Sequence, residues 1–212
     1  YLFWPLLLGL GLRFLPRRNW VAGGTAILAL ASALAMALIY TPGVDPSRVY
    51  YGTDTRAFAL LTGAVLAFFW PGGKLSASLS GYKRLVLDGA GLAGLIIIIW
   101  MIAQINQYQP FLYQGGLLLF SLAAAVVVAV LAHPDSLLGK IFGLKPLRLL
   151  GACSYGIYLW HYPIIILTSP AVNTGGIDIP RSLAQIAVSI ILAVLSFYFI
   201  EEPIRHGKWQ GF

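Results

Sequence analysis

The chain has 212 residues, of which 59% are apolar and only 10% are charged, and its formal net charge is +7. This composition excludes an ordinary soluble domain, because one compact core cannot bury so much apolar surface. It indicates an all-α, polytopic helical membrane protein. A single cysteine excludes disulfides within the chain and cysteine-based metal clusters. The basic residues lie in short clusters between apolar runs, which orientation in a membrane explains better than nucleic-acid binding does.

In chain order, seven apolar segments predict about seven transmembrane helices. They cover residues 1–15, 20–40, 57–70, 85–104, 111–132, 151–167 and 182–200. The third is short for a membrane span, although Thr55 and Arg56 could form its first turn. Residues 136–150 combine an apolar face with three basic side chains, which predicts an interfacial helix rather than a plain connecting loop.

The loops between these segments alternate in charge. One set carries eleven of the fourteen basic residues, namely Arg13, Arg17, Arg18, Lys74, Lys83, Arg84, Lys140, Lys145, Arg148, Arg205 and Lys208. The other set holds only Arg48, Arg56 and Arg181. Because cytoplasmic loops carry the excess of Lys and Arg, the first set is predicted to be cytoplasmic and the loop before Arg56 extracytoplasmic.

Residues 89–94 read Gly-Ala-Gly-Leu-Ala-Gly and formally match the dinucleotide-binding fingerprint. The match is false, because that fingerprint needs a preceding strand, whereas these glycines lie within an apolar segment. Small residues there are predicted to let helices approach closely. Asp88 follows Arg84 by four residues, a spacing that predicts an ion pair between them.

The outer loop before the third segment concentrates polar chemistry. It holds Arg48, Tyr50, Tyr51, Asp54 and Arg56 within nine residues. Arg56 could bind an anion or pair with Asp54, and a tyrosine hydroxyl beside an arginine could have a lowered pKa and relay an acyl group. A purely structural loop is the alternative.

A second polar set lies in the sixth segment. Ser154, Tyr158 and His161 fall on one stripe of a helix, with Tyr155 along its edge. A helix entering the membrane at residue 151 would place His161 roughly 15 Å deep, near the midplane. An ionisable group there indicates function, although a histidine that merely bonds to a neighbouring helix is equally consistent with the sequence.

The last segment ends in Phe-Ile-Glu-Glu-Pro at residues 199–203. Pro203 is predicted to end that helix. One of the two glutamates, Glu201 or Glu202, is expected to pair with a basic residue of a cytoplasmic loop, a structural role rather than a catalytic one.

Three strings carry a family resemblance. They are Tyr-Tyr-Gly-Thr-Asp-Thr-Arg at 50–56, Ser-Tyr-Gly-Ile-Tyr-Leu-Trp-His at 154–161 and Ile-Glu-Glu-Pro at 200–203. They resemble the membrane domain of the acyltransferase-3 family, most closely its peptidoglycan O-acetyltransferase branch. The resemblance implies an enzyme of the bacterial plasma membrane that moves an acetyl group from cytoplasmic acetyl-CoA to an extracytoplasmic carbohydrate such as peptidoglycan. Acetyl-CoA would be a substrate, with no bound cofactor or metal.

The resemblance also implies roles for single residues. Tyr51, Tyr50, Arg56 and Asp54 become the extracytoplasmic relay, and His161 a polar residue of the acyl path. The residues implied to line or support that path are Ser154, Tyr155, Tyr158 and Glu201.

By the same resemblance, residues 1–212 form the C-terminal part of one membrane domain. The family's first-helix histidine and paired arginines would precede residue 1, and an exported esterase-like domain would follow residue 212. Residues 1–212 alone are therefore expected to insert in membranes without transferring acetyl groups.

Two other classes of function compete with this interpretation. A transporter or a lipid or glycan flippase would also use polar residues at the membrane midplane, but it should contain paired repeats with matching interruptions, and the two halves of the chain share no such pattern. A non-catalytic membrane anchor would not explain the outer loop. The expected partners are acetyl-CoA, a glycan acceptor, membrane lipids and an exported esterase-like domain, without nucleic acid.

Overall fold

The computed structural model describes residues 3–14, 18–70, 79–169 and 178–205, and these ranges contain helices and turns without a β-strand. The helices are α1 (Phe3–Phe14), α2 (Arg18–Ile39), α3 (Ser47–Tyr51), α4 (Thr53–Phe69), α5 (Gly81–Gln104), α6 (Leu117–Leu131), α7 (Leu137–Phe142), α8 (Lys145–Ala152), α9 (Ser154–Thr168), α10 (Ile179–Ser196) and α11 (Glu202–Arg205). Two π-helical turns, Leu112–Gly116 and Phe197–Glu201, lead into α6 and α11.

The helices identify the chain as an all-α, multi-pass membrane protein. Four of them are long and apolar enough to cross a membrane, and α8 with α9, bent by 64° at their junction, would make a fifth span. Each of the seven predicted segments is helical over most of its described length, but fewer than seven meet this measure. The difference comes from length, because α4 has 17 residues and α1 has 12 described residues.

The chain divides into two compact units, residues 1–141 and 142–212. In the first unit α4 packs on α2 and also contacts α6, and α5 packs on α6. Met36, Phe58 and Tyr113 are nearly inaccessible at the centre of this packing. Large apolar side chains such as Leu38 and Ile102 face outward, as expected for helices that contact lipid.

The contact between α5 and α6 depends on two glycines of the false fingerprint. A Cβ atom at Gly91 would lie 2.8 Å from Val130 Cγ1, and one at Gly94 would lie 2.9 Å from Val127 Cγ2. Residues larger than glycine would therefore push the helices apart. The prediction that these small residues permit close helix packing is confirmed, and the segment is one continuous helix.

Asp88 forms its hydrogen bonds with α7, and it interacts with the predicted partner Arg84 only through their charges, without a close ion pair. Its carboxylate accepts hydrogen bonds from Ser136 Oγ at 2.8 Å and from the backbone N–H of Leu137 at 3.0 Å. The first N–H groups of a helix lack intrahelical partners and attract a carboxylate. The predicted interfacial helix at 136–150 is in fact two helices, α7 and α8, separated at residues 143–144.

In the second unit α9 packs on α10 through small residues. A Cβ atom at Gly156 would lie 3.2 Å from Ala193 Cβ. The prediction that Pro203 ends the last helix is wrong, because Pro203 lies inside α11. It is the second residue after a π-helical turn, where a missing N–H group is tolerated as it is in the first turn of a helix.

Candidate functional site

The outer loop forms a tight corner between α3 and α4. Thr55 is fully buried, and its hydroxyl donates to the carbonyl oxygens of Val49 at 2.7 Å and Gly52 at 3.0 Å. Gly52 has an ordinary φ of −63°, so its backbone does not require glycine. A Cβ atom there would instead overlap the Arg48 side chain and lie 2.8 Å from the Arg48 carbonyl oxygen. Glycine is needed for this close approach of α3 to α4.

Ser32 on α2 fixes the start of α4 from the opposite side. Its hydroxyl donates to the Asp54 carbonyl oxygen at 2.5 Å and accepts from the Phe58 N–H at 3.1 Å. Ser32 is buried, and such a bond is worth on the order of 1 kcal/mol within the protein interior. The corner that holds the polar residues is therefore anchored to the core.

Asp54 pairs with Arg48 and not with Arg56. The guanidinium Nη1 lies 3.0 Å from Oδ1 and Nη2 lies 2.9 Å from Oδ2, which is a bidentate arrangement. The hydrogen bonds from Arg48 hold the pKa of the Asp54 carboxyl below its usual value. The sequence left open whether Arg56 would pair with Asp54 or bind an anion, and the geometry leaves Arg56 without that carboxylate.

Arg56 lies instead on an aromatic ring. Its guanidinium carbon is 4.7 Å from the centroid of the Tyr50 ring, and the Tyr50 and Tyr51 rings meet edge to face at 5.0 Å. Within the described ranges Arg56 forms no ion pair. The cation–π contact holds the guanidinium in place without neutralising it. The structure thus brings together Tyr50, Tyr51, Asp54 and Arg56.

A cleft of about 350 Å³ opens beside the two tyrosines. Tyr108 and Tyr113 contribute two further phenol rings to its wall, and the polar lining residues are Asp45, Ser47 and Gln107. Tyr113 is buried, donates its hydroxyl to the Gln107 carbonyl oxygen at 2.9 Å and stacks on Tyr40 at 4.6 Å. The cleft is therefore rigid on this side and offers both ring faces and hydrogen-bonding groups.

Sequence reasoning missed Tyr113. This residue lies in the first of the two turns, which is a kink and not a regular helical turn, because Gln114 and Gly115 have non-helical backbone angles and Gly115 adopts a φ of +131° that other residues rarely adopt. The adjacent glycines 115 and 116 at the start of an apolar segment were the signal for an irregular turn. Such a break in the helix changes the direction in which the flanking side chains point.

The sixth segment places its polar residues differently from the expectation. His161 is half-buried, and its Nδ1 forms a 2.5 Å hydrogen bond with the Tyr158 carbonyl oxygen of its own helix, while the two rings are 5.6 Å apart. Ser154, Tyr155 and Tyr158 are exposed on α9. In the described part of the chain His161 makes no bond to a neighbouring helix, so the stripe is a polar face of α9 rather than a contact between helices.

Glu201 and His133 are two further groups that could carry out acid–base chemistry. Glu201 is half-buried in the second π-helical turn. His133, which sequence reasoning did not select because it follows an apolar segment, is buried, and its Nδ1 accepts the Asp135 N–H at 3.1 Å. Across the described ranges no group of three or more His, Cys, Asp or Glu side chains could hold a metal ion.

The fold and site define a multi-pass helical membrane protein with a tyrosine, arginine and carboxylate cluster at the end of a membrane helix. A profile of the acyltransferase domain, that of the acyltransferase-3 family, matches residues 1–201. The chain belongs to this family. No solved structure matches it.

Curated relatives agree with this assignment. Over the whole chain, identity is 47% to the peptidoglycan O-acetyltransferase OatA of Listeria monocytogenes and 42% to the putative peptidoglycan O-acetyltransferase YrhL of Bacillus subtilis. The O-acetyltransferase OatA of Staphylococcus aureus is 35% identical. The chain spans about a third of the length of these relatives, 34% of the first two and 35% of the third.

Proposed function

We propose that this chain is part of a membrane O-acetyltransferase of the bacterial plasma membrane, which takes acetyl groups from cytoplasmic acetyl-CoA and delivers them to an extracytoplasmic carbohydrate such as peptidoglycan. Family membership and the names of the relatives support the class of reaction. The observation that carries the proposal is the cluster of Tyr50, Tyr51 and Arg56 beside the aromatic cleft. The proposed arrangement has about seven spans, with residues 41–56 outside.

The relay would proceed through a tyrosyl ester. The phenol oxygen of Tyr51 attacks the carbonyl of the acyl donor at the outer end of the acyl path. The new ester C–O bond forms as the bond between the acetyl carbon and the donor breaks, and the phenol proton passes through a base to the departing group. A hydroxyl of the acceptor sugar then attacks the ester carbonyl, and its proton passes to the departing phenolate, which restores Tyr51. A phenol has an ordinary pKa near 10, so it needs a base or a nearby cation at neutral pH. Arg56, fixed on the neighbouring Tyr50 ring, supplies the cation.

Tyr51 is preferred to Tyr50 as the nucleophile. Its side chain is 78% exposed, against 38% for Tyr50, whose ring face is covered by Arg56. Tyr50 would then position the guanidinium, and the Arg48–Asp54 pair would hold the corner that presents both rings. The aromatic walls of the cleft suit the flat faces of a sugar ring, while Ser47 and Gln107 can bond to its hydroxyls.

The polar face of α9 would line the acyl path. His161 would hold or move a proton there, and Ser154, Tyr155 and Tyr158 would border it. Glu201 would support this unit from the second π-helical turn.

The test measures transfer of radiolabelled acetyl groups from acetyl-CoA to a peptidoglycan fragment by the complete protein in membrane vesicles. Tyr51→Phe removes only the hydroxyl and is expected to lower transfer by about 10²-fold or more, the scale of a lost nucleophile or general acid–base group. Tyr82→Phe, at an exposed position on α5, is the matched control and should transfer at the wild-type rate. Wild-type transfer by both Tyr51→Phe and Tyr50→Phe would rule out the tyrosine relay.

A further inference from the structure

A second concave surface begins at Arg56 and runs along the membrane helices. This groove of about 540 Å³ lies between α4 and α6, with Tyr50 and Arg56 among its lining residues. Its walls include the small residues Ala59, Gly63, Ala124 and Ala125. We propose that, in the absence of an acyl donor, the groove binds one acyl chain of an anionic phospholipid, whose phosphate pairs with Arg56.

The lining chemistry fits an acyl chain better than a polar substrate. The hydroxyl of Ser121, a polar lining residue, donates to the Leu117 carbonyl oxygen of its own helix at 2.9 Å. The remaining polar side chains of the lining, Tyr50 and Arg56, precede the apolar part of α4. A polar group placed deep in the groove would lose its hydrogen bonds to water without replacement, which disfavours a polar substrate there.

The dimensions also match a single chain. From Arg56 to Leu66 the groove follows ten residues of α4, or roughly 15 Å at 1.5 Å per residue, which is half of a hydrocarbon core about 30 Å thick. The groove is therefore about as long as one leaflet of the hydrocarbon core is thick, which is the depth that a single acyl chain spans.

The charge at the end of the groove selects the headgroup. Arg56 forms no ion pair within the described ranges, because Asp54 is occupied by Arg48, and its contact with Tyr50 leaves the cationic charge uncompensated. Arg56 lies in the first turn of α4, directly before the apolar segment, and in the proposed orientation this position falls at the level of the lipid headgroups. A phosphate supplies oxygen acceptors that suit a guanidinium fork, and a zwitterionic headgroup adds a cation that Arg56 would repel.

The experiment counts lipids retained by the complete protein in native mass spectrometry. Detergent-purified protein is mixed with equal amounts of phosphatidylglycerol and phosphatidylcholine carrying the same acyl chains. Wild-type protein should retain phosphatidylglycerol about fivefold more than phosphatidylcholine, the ratio that one partly exposed ion pair supports. Arg56→Gln should reduce this ratio to about one, whereas Lys83→Gln, at an exposed position outside the groove, should leave it unchanged.

A groove-filling variant and its matched control test whether the acyl chain lies in the groove. A Cβ atom meets nothing within 4 Å at Gly63 or at Gly89, so leucine is tolerated at both positions, but only Gly63 lines the groove. Gly63→Leu should lower retention of both lipids several-fold, and Gly89→Leu on α5 should match the wild type. Glycerol phosphate, which carries the charge without the chain, should not displace bound phosphatidylglycerol.

Three results would overturn the proposal. They are wild-type retention by Gly63→Leu, an unchanged lipid preference in Arg56→Gln, and displacement by glycerol phosphate, which would mean a site for free phosphate. Retention is measured without acetyl-CoA or acceptor, so this outcome is independent of whether the protein transfers acetyl groups.

Discussion

Arg48 and Asp54 form a bidentate ion pair across the corner between α3 and α4, with two N–O distances of 3.0 and 2.9 Å. The pair ties the loop that carries Tyr50 and Tyr51 to the first turn of α4. It also removes Asp54 as a partner for Arg56. In this corner the charge of Arg48 is neutralised by Asp54, and the charge of Arg56 remains available for another anion.

The pH dependence of this pair follows from the lowered pKa of Asp54. A carboxyl with a depressed folded-state pKa contributes its stabilisation fully above the ordinary value of 3.8 and loses it as the pH falls through the lower, folded value. The difference in melting temperature between wild type and Asp54→Asn should thus be constant from about pH 5 to pH 8 and shrink below 3.8. A difference that disappears near neutral pH would contradict the pairing.

Thr55 should be sensitive to loss of its hydroxyl rather than to loss of volume. Thr55→Val keeps the shape but removes the hydroxyl that donates to the Val49 carbonyl oxygen, whereas the Gly52 carbonyl oxygen still accepts the Arg56 N–H at 3.0 Å. We expect a loss of about 1–3 kcal/mol, measured by thermal unfolding in detergent. Thr55→Ser keeps the hydroxyl and should retain most of that stability. Equal losses in the two variants would assign the effect to packing of the methyl group.

Substituting alanine for a glycine of α5 should destabilise the protein only where another helix packs against that glycine. Gly94→Ala brings a Cβ atom to 2.9 Å from Val127 Cγ2 and 3.1 Å from the Ala123 carbonyl oxygen, so the α5–α6 contact must open, at a cost of about 1–3 kcal/mol. Gly89→Ala meets open space and should be neutral or slightly stabilising. Thermal unfolding of both variants measures the difference, and a neutral Gly94→Ala would argue against this packing.

His161→Ala in the complete protein should lower acetyl transfer while leaving the amount of folded protein nearly unchanged. The imidazole bonds within α9, so its loss breaks no hydrogen bond between helices of the described chain. Transfer rate and monodispersity on size-exclusion chromatography are measured together. Full activity would reduce the α9 stripe to packing, and aggregation would indicate a structural role.

The orientation can be checked by cysteine labelling in a Cys153→Ala background. Val44→Cys and Gln107→Cys lie in loops predicted to be outside, and Ser80→Cys and Lys83→Cys lie in one predicted to be inside; all four positions are exposed. An impermeant maleimide should label only the first two in intact cells. Labelling at position 80 or 83 would reverse the topology derived from the positive charges.

Hydropathy and residue pattern alone determined the helical segments and the family of this protein. They located every apolar segment that is helical in the described ranges, the close packing at the glycines of α5 and the family motifs of the outer loop and α9. These features depend on periodicity and composition within short stretches of the chain, and both can be read directly from the sequence. Fewer than seven of the described helices are long enough to span by themselves, because helix length depends on where the chain breaks, as at Cys153 between α8 and α9.

Tertiary structure alone decided which partner each polar side chain takes. Spacing favoured Arg84 for Asp88, but the unpaired N–H groups at the start of α7, about fifty residues away, bind the carboxylate. Asp54 is two residues from Arg56 yet pairs with Arg48, because the close approach at Gly52 folds α3 back on α4. Tyr113 joined the site through an irregular turn. A polar group bonds to whichever complementary group packing brings within about 3 Å, and neighbourhood along the chain does not determine that distance.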